Sequence, residues 1–202
     1  KQHLQRQSVS LNNEDISSVK ELLRYMGIQY TTALGEAERL CAKLVINGQA
    51  DACLSDDTDM FAYRCPVILR YLSVINETVI KYDFVEMINK MDINSDDFCV
   101  ACIAAGTDYN DTKYNFNSVM YQYNKYCLAE KSNTFVDFLI RNTDYIPDES
   151  DFWKIYKMYD IMSSDDVEGE IGMKELEINI MSQLEDSKKL ENFLSEYGFM
   201  FI

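Results

Sequence analysis

Apolar positions recur at helical spacing twice near the start of the chain. Ile16, Val19, Leu22, Leu23 and Met26 follow polar Ser10 to Asn13 and stop at Gly27, which predicts a helix from about Asn13 to Met26 with one burial face. After a short extended piece, Ile28 to Tyr30, the residues Ala37, Leu40, Cys41, Leu44 and Val45 fall at i, i+3, i+4, i+7 and i+8 and end before Gly48. The pattern then changes. Ala50 to Ser55 is short enough for a buried strand and runs straight into Asp56-Asp57-Thr58-Asp59, so carboxylates crowd a strand's C-terminal end. Val67 to Leu72 and Thr78 to Tyr82 read as two more strands joined by a polar turn, Ser73 to Glu77, with Pro66 at a tolerated opening position. Asp83 is placed to cap a helix through Met91. A second helix runs from Ser95 as N-cap, through Phe98, Cys99, Cys102 and Ile103, to a stop at Gly106. Helices alternating with short apolar strands predict an α/β layer with a parallel-rich sheet and flanking helices. From Asn110 the texture becomes polar and aromatic, and reads as helical, with helices recurring at Thr134 to Arg141, Asp151 to Tyr159 and Leu184 to Tyr197. Pro147 and an acidic linker, Ser163 to Glu170, separate them.

Composition narrows the class. The chain has 202 residues, 47% hydrophobic and 12% aromatic, enough for a sizeable core, which excludes a disordered chain. Nineteen Lys and Arg against 34 Asp and Glu give 19 − 34 = −15, the reverse of a general nucleic-acid binder's footprint. Residues 142 to 202 hold 15 acids and 5 bases, leaving 19 acids and 14 bases in residues 1 to 141, so a charged partner would meet the first part. No run is long enough to span a membrane, since the richest apolar stretch, Phe98 to Ala105, is broken by Gly106 and Asp108; no membrane partner is expected. Lys1 stands where an initiator Met would, and the first residues lack the apolar stretch of a signal peptide, as expected of a fragment. Six cysteines in mostly apolar settings read as reduced core residues, which points to an intracellular location.

The strongest local chemistry is Glu36-Ala37-Glu38 at a helix start followed by Asp57-Thr58-Asp59 at a strand end. Residues two apart on a helix diverge by about 200°, so both glutamates share one site only if Glu36 lies at or before the first turn. Gly35 would permit such an entry. Carboxylates brought together raise one another's pKa unless a cation neutralises them, and magnesium takes oxygen ligands where zinc favours His and Cys. His3 is the only histidine, which excludes a histidine triad. Two magnesium ions about 4 Å apart are a standard device for in-line phosphodiester hydrolysis. The alternative is a set of solvated acids favoured by helix macrodipoles.

Taken together, Leu22-Leu23-Arg24-Tyr25-Met26-Gly27-Ile28, Gly35-Glu36-Ala37-Glu38-Arg39-Leu40-Cys41-Ala42, Ala52-Cys53-Leu54-Ser55-Asp56-Asp57-Thr58-Asp59 and Gly106-Thr107-Asp108-Tyr109 resemble the internal domain of the flap endonuclease / XPG family of structure-specific nucleases, in order and in interval. The resemblance runs from about Ser8 to Tyr126 and is weaker around Lys189 to Phe199. It implies a PIN-like α/β core over residues 1–109, then a helical C-terminal region over residues 110–202 with a divergent helix-two-turn-helix element. It also implies that Glu36, Glu38, Asp57, Asp59 and Asp108 are catalytic metal ligands for two Mg2+ ions, with Mn2+ as substitute, and that Asp56 is not a ligand. The substrate implied is DNA with single-strand/duplex junctions, cut in replication, repair or recombination, in the nucleus or at a cytoplasmic replication site if the source is viral, with a replication-machinery protein as a further partner. Two departures stand out. The family's remaining metal-site aspartates and phosphate-contacting basic residues belong to a domain that would precede Lys1. The family's glycine-rich phosphate-gripping turn is here Lys113-Tyr114-Asn115-Phe116-Asn117-Ser118, where Asn115 and Asn117 are expected to supply the left-handed backbone, and Lys113 and Lys125 the cations. A non-catalytic scaffold on the same fold, or an RNA-directed nuclease, stays open at this point.

The other signals read as structural. Cys99-Val100-Ala101-Cys102 lies mid-helix without a second pair, so it is core packing. Asp92-x-Asn94-x-Asp96 has Asp97 and Ile103 where a calcium loop needs Gly and Glu, so it is a turn with a helix cap.

Overall fold

The computed structural model describes residues 11–129, 134–161 and 187–200. His3, the Ser163 to Glu170 linker and Leu184 to Asp186 lie outside the described residues. Two compact units are formed. In one, helix α1 (Asn13–Tyr25) opens on an Asn12–Asp15 capping box and ends at Gly27 in the left-handed region (φ 68). It meets the C-terminal helix α9 (Ser187–Glu196) through Tyr25 and Phe193, with ring centroids 5.5 Å apart, and through the Tyr197 hydroxyl donating to Ser18 Oγ at 2.7 Å. The predicted burial face of α1 is only partly covered among the described residues: Ile16 is 48% and Val19 55% exposed.

The larger unit holds the other elements. They are α2 (Ala37–Ile46), β1 (Cys53–Leu54), α3 (Asp59–Ala62), β2 (Val67–Ser73), β3 (Thr78–Asp83), α4 (Phe84–Lys90), α5 (Ser95–Ala105), α6 (Phe116–Leu128), α7 (Phe135–Asn142) and α8 (Glu149–Tyr159). Its centre is α5, which beyond its Ser95-Asp96-Asp97 first turn is apolar all round and buries Phe98, Cys99, Val100, Ala101, Ile103 and Ala104, as expected of a helix surrounded by neighbours. α3, α6, α7 and α8 all pack against it. Burial pushes the Cys99 thiol up to about 12 and raises Cys102 as well, so both stay protonated in the core, as the sequence suggests. No cysteine among the described residues is in a disulfide. No described helix is long and apolar enough to cross a membrane.

The sheet is small and mixed: β1 pairs with β2 in parallel, Cys53 opposite Ile68, whereas β2 and β3 form an antiparallel hairpin, Val67 opposite Asp83. The expected parallel character therefore holds for one of its two pairings. The predicted strand Ala50 to Ser55 contracts to Cys53–Leu54, because the Gln49 and Ala50 N–H groups still donate to the Leu44 carbonyl and close the end of α2. The cap of α5 is Asn94 instead of Ser95, since the Asn94 Oδ1 reaches the N–H groups of Asp96 and Asp97. The Asp92 backbone is left-handed (φ 52) just before it, so the calcium-like spacing is a turn and a cap.

Candidate active site

β1 runs out into the acidic segment, and each acid there has a distinct local task. Asp56 serves the sheet: its Oδ1 accepts from the Tyr71 N–H at 2.7 Å and its carbonyl from Arg70 Nη2 at 2.6 Å. This occurs where the β2–β3 ladder is irregular and Tyr71 takes a positive φ of 56°, the mark of a bulge. Asp56 is thus occupied with backbone structure. Asp57 accepts from the Asp59 N–H through Oδ1 at 2.8 Å, while its own N–H donates to Ser55 Oγ at 3.1 Å. That pair turns the chain from strand into α3, whose first residue is Asp59.

Asp59 is the centre of the group. Its half-buried carboxyl is pushed up by burial and by the charges of Asp57 and Asp108, and pulled back by hydrogen bonds from the Tyr159 hydroxyl and the Asp108 N–H. Asp108 reaches it from the loop after α5. Gly106 ends that helix at φ 107, and Thr107 and Asn110 then bridge, with Thr107 Oγ1 donating to Asn110 Oδ1 at 2.7 Å and Asn110 Nδ2 donating to the Ile103 carbonyl at 2.9 Å. The exposed Asp108 sits on this locked turn.

Glu36 is the N-cap of α2, in extended conformation, so it precedes the first turn as sharing a site with Glu38 requires. The glycine before it adopts no positive φ, so the entry does not depend on Gly35's conformational freedom. Glu36 lies against Tyr109, which hydrogen-bonds to both Tyr63 and Glu36; burial, then Glu36 and Asp59, raise that phenol. Glu38, half-buried one residue into α2, is felt instead at Cys41 and Cys53. The structure therefore gathers Asp57, Asp59 and Asp108, joins Glu36 to them through Tyr63 and Tyr109, and sets Glu38 beside the root of β1.

The donor chemistry fits a hard divalent cation: the acids offer oxygen only, and the carboxyl at the centre carries charge that its neighbours oppose. The side chains do not close into a cage: no three His, Cys, Asp or Glu among the described residues stand close enough to hold a metal ion.

A ring of tyrosines around Asp59 is the feature that sequence reasoning missed. Tyr159, fully buried at the end of α8, donates to Asp59 Oδ2, and its ring meets Tyr63 at 4.7 Å and Tyr109 at 5.7 Å between centroids. Tyr109 stands in the Gly106 to Tyr109 motif, but nothing in the sequence ties Tyr159 to an aspartate so far upstream; Phe152, Tyr156 and Tyr159 simply repeat at core spacing.

The expected nucleic-acid contacts are differently arranged. Asn115 is extended (φ −112) and caps α6 by accepting from the Ser118 N–H at 3.0 Å, and Asn117 lies inside the helix, so neither supplies a left-handed turn. The cap satisfies the chain where glycines would otherwise bend it. Lys113 is exposed and paired with Asp144 at 3.0 Å. Lys125 lies in the last turn of α6, roughly 12 Å along the axis from Asn117 at about 1.5 Å per residue.

Residues 27–108 match the XPG I-region. Over that stretch, 82 of the 202 residues, the chain is similar to flap endonucleases and RAD2-like endonucleases. It is 32% identical to the probable RAD2-like endonuclease of Invertebrate iridescent virus 6 over 123 residues, 56% of this chain and 29% of the relative. It is also 32% identical to flap endonuclease 1 of Schizosaccharomyces pombe over 107 residues, 52% of this chain and 28% of the relative. The matched stretch thus spans less than a third of these curated relatives. Among solved structures, the fold resembles flap endonuclease-1 of Methanococcus jannaschii, with a TM-score of 0.59 at 24% identity, covering 74% of this chain and 44% of that one. It also resembles the catalytic core of Rad2 in complex with DNA substrate, with a TM-score of 0.54 at 23% identity, covering 78% and 57%. All five predicted acids, from Glu36 to Asp108, lie within the matched stretch.

Proposed function

We propose that this I-region belongs to a divalent-metal-dependent, structure-specific nuclease that hydrolyses DNA phosphodiesters at junctions between single strand and duplex. The observation that carries the reading is the placing of Asp57 and Asp108 beside a half-buried Asp59, whose carboxyl is pushed up by burial and then by their charges, an arrangement that a bound cation relieves. Asp57, Asp59 and Asp108, with Glu36 and Glu38 alongside, would hold two magnesium ions, for which manganese substitutes. Such ions, when bound, activate water and stabilise the leaving oxygen. The chain's own residues bind and orient: the Thr107–Asn110 turn presents Asp108, and the Asp57–Asp59 bond sets the entry of α3. The solved relatives support this choice of partners, since human GEN1 was solved with Holliday junction DNA and a GEN1 enzyme with product DNA and Mg2+. Lys113 reaches phosphate by leaving Asp144, at small cost because exposed ion pairs contribute little. Lys125 and Asn117 are further phosphate contacts along α6.

Cleavage of a 5′-flap DNA by the full-length protein with magnesium tests the reading. Asp57→Ala and Asp59→Ala are each expected to lower the rate at least about 100-fold, at or beyond the upper end of losses typical for residues that merely support a metal ligand. Full activity in both variants overturns it. A non-catalytic scaffold is the second reading, favoured by the open arrangement of the acids and the commitment of Lys113 to Asp144. It predicts no saturable manganese binding by isothermal titration of the full-length protein.

A further inference from the structure

We propose that Tyr159, which lies outside the I-region, is the positioning residue for Asp59, and that α8 therefore belongs to the metal-binding site. This rests on the acid-cluster reading above and adds to it the element that orients the central ligand.

α3 is only four residues long, Asp59–Ala62, followed by Tyr63 and a left-handed Arg64 (φ 58). A single turn lies far below the length at which a helix holds itself, so the direction of Asp59 is set by whatever grips the turn. α8 grips both ends. At the start, the buried Tyr159 hydroxyl donates to Asp59 Oδ2. At the other end, Arg64 Nη2 donates to the Tyr156 hydroxyl at 2.8 Å, and Arg64 Nη1 pairs with Asp160 at 3.5 Å. The Tyr159 ring is itself wedged against Tyr63 and Tyr109.

The chemistry of the donor matters. A phenol is neutral, so it fixes one carboxylate oxygen without cancelling the charge that a cation needs, whereas a Lys or Arg in its place would compete with the metal. The nearby cation, Arg64, is held by Asp96 at 3.0 Å and by Asp160. Orienting partners of this kind are what set the direction of metal ligands.

The test uses the full chain. Without metal, three-bond couplings are expected to show the Asp59 side chain in one χ1 rotamer in the parent and averaged over rotamers in Tyr159→Phe. Tyr156→Phe, which loosens the Arg64 end and leaves the Asp59 bond in place, is expected to keep the single rotamer. In the parent itself, the bonded Tyr159 hydroxyl proton should give a slowly exchanging downfield resonance, so the bond is checked even if a variant fails to fold; absence of that resonance overturns the inference. Manganese titration followed by electron paramagnetic resonance should then show affinity lowered about 10–100-fold in Tyr159→Phe but within about twofold of the parent in Tyr156→Phe. A single Asp59 rotamer in Tyr159→Phe overturns the positioning role, as does unchanged manganese affinity. In either case the acid-cluster reading survives provided the parent binds manganese and Asp59→Asn does not. A parent that binds no manganese overturns the acid-cluster reading itself.

Discussion

At the residue scale, the acids were legible because both their type and their spacing carry information: two pairs at alternate positions, one at a helix entry and one at a strand exit. Their hydrogen-bond partners were not. The contact between Tyr159 and Asp59 spans 100 residues of chain, and a tyrosine at core spacing looks the same whether or not it serves an acid. The balance at Asp59 has a consequence for stability. Its folded carboxyl is raised above the ordinary value of about 3.9, so between that value and its folded pKa the folded state binds more protons than the unfolded one. Stability therefore falls as pH rises through that window, and the cost is fully present at neutral pH. Asp59→Asn removes the charge while its side-chain oxygen still accepts from Tyr159. Thermal unfolding at pH 7 without metal should place this variant at or above the parent, and the gap should close below about pH 4, where both proteins are neutral at this position. A lower unfolding temperature at pH 7 would contradict the charge balance assigned to Asp59. Saturating manganese should narrow the gap, because a ligand that binds only the folded parent stabilises it by mass action.

At the element scale, the helices were read most faithfully. Their apolar spacing and stops agree, as at α2, which ends one residue beyond Val45 and before Gly48, while the cap of α5 sits one residue earlier than the sequence suggests, at Asn94. The strand before the acids was overread, since an apolar run does not reveal that its first N–H groups are already spent on the preceding helix. The phosphate-gripping turn was misread for a related reason: Asn tolerates left-handed backbone but also caps helices, and here the cap wins at Asn115. Gly106 is the position where a glycine is required by the fold. It combines φ 107 and ψ 139 with a neighbour, Thr112 Cγ2, 2.8 Å from where a Cβ would sit. Gly106→Ala should destabilise the protein by about 1–3 kcal/mol in chemical denaturation. Since the same turn carries Asp108, manganese affinity should fall even under conditions where the variant remains fully folded; unchanged stability would show that the turn tolerates a side chain.

At the scale of the whole molecule, the charge of −15 opposes any approach to DNA. Five of the 34 acids are the proposed ligands, and removing them takes residues 1 to 141 from 14 − 19 = −5 to zero. The remaining excess, 5 − 15 = −10, belongs to residues 142 to 202. A neutral metal-loaded portion and an acidic remainder imply that divalent and monovalent ions act on DNA binding in opposite directions. Ordinary salt weakens binding by competing at phosphate, as it does for any protein with Lys and Arg contacts. A divalent cation instead removes carboxylate charge at the point where the scissile phosphate would sit. Fluorescence anisotropy of the full-length protein on a junction DNA should therefore show little binding in chelator, tighter binding as calcium is added at constant ionic strength, and weaker binding as sodium chloride is raised. Calcium suits the experiment because it takes the same oxygen ligands with a more flexible shell than magnesium. The calcium effect should be lost in Asp57→Asn combined with Asp59→Asn, while the sodium dependence persists. Equal calcium enhancement in that double variant would place the cation's action on the DNA or the acidic remainder instead of on the acids gathered around Asp59.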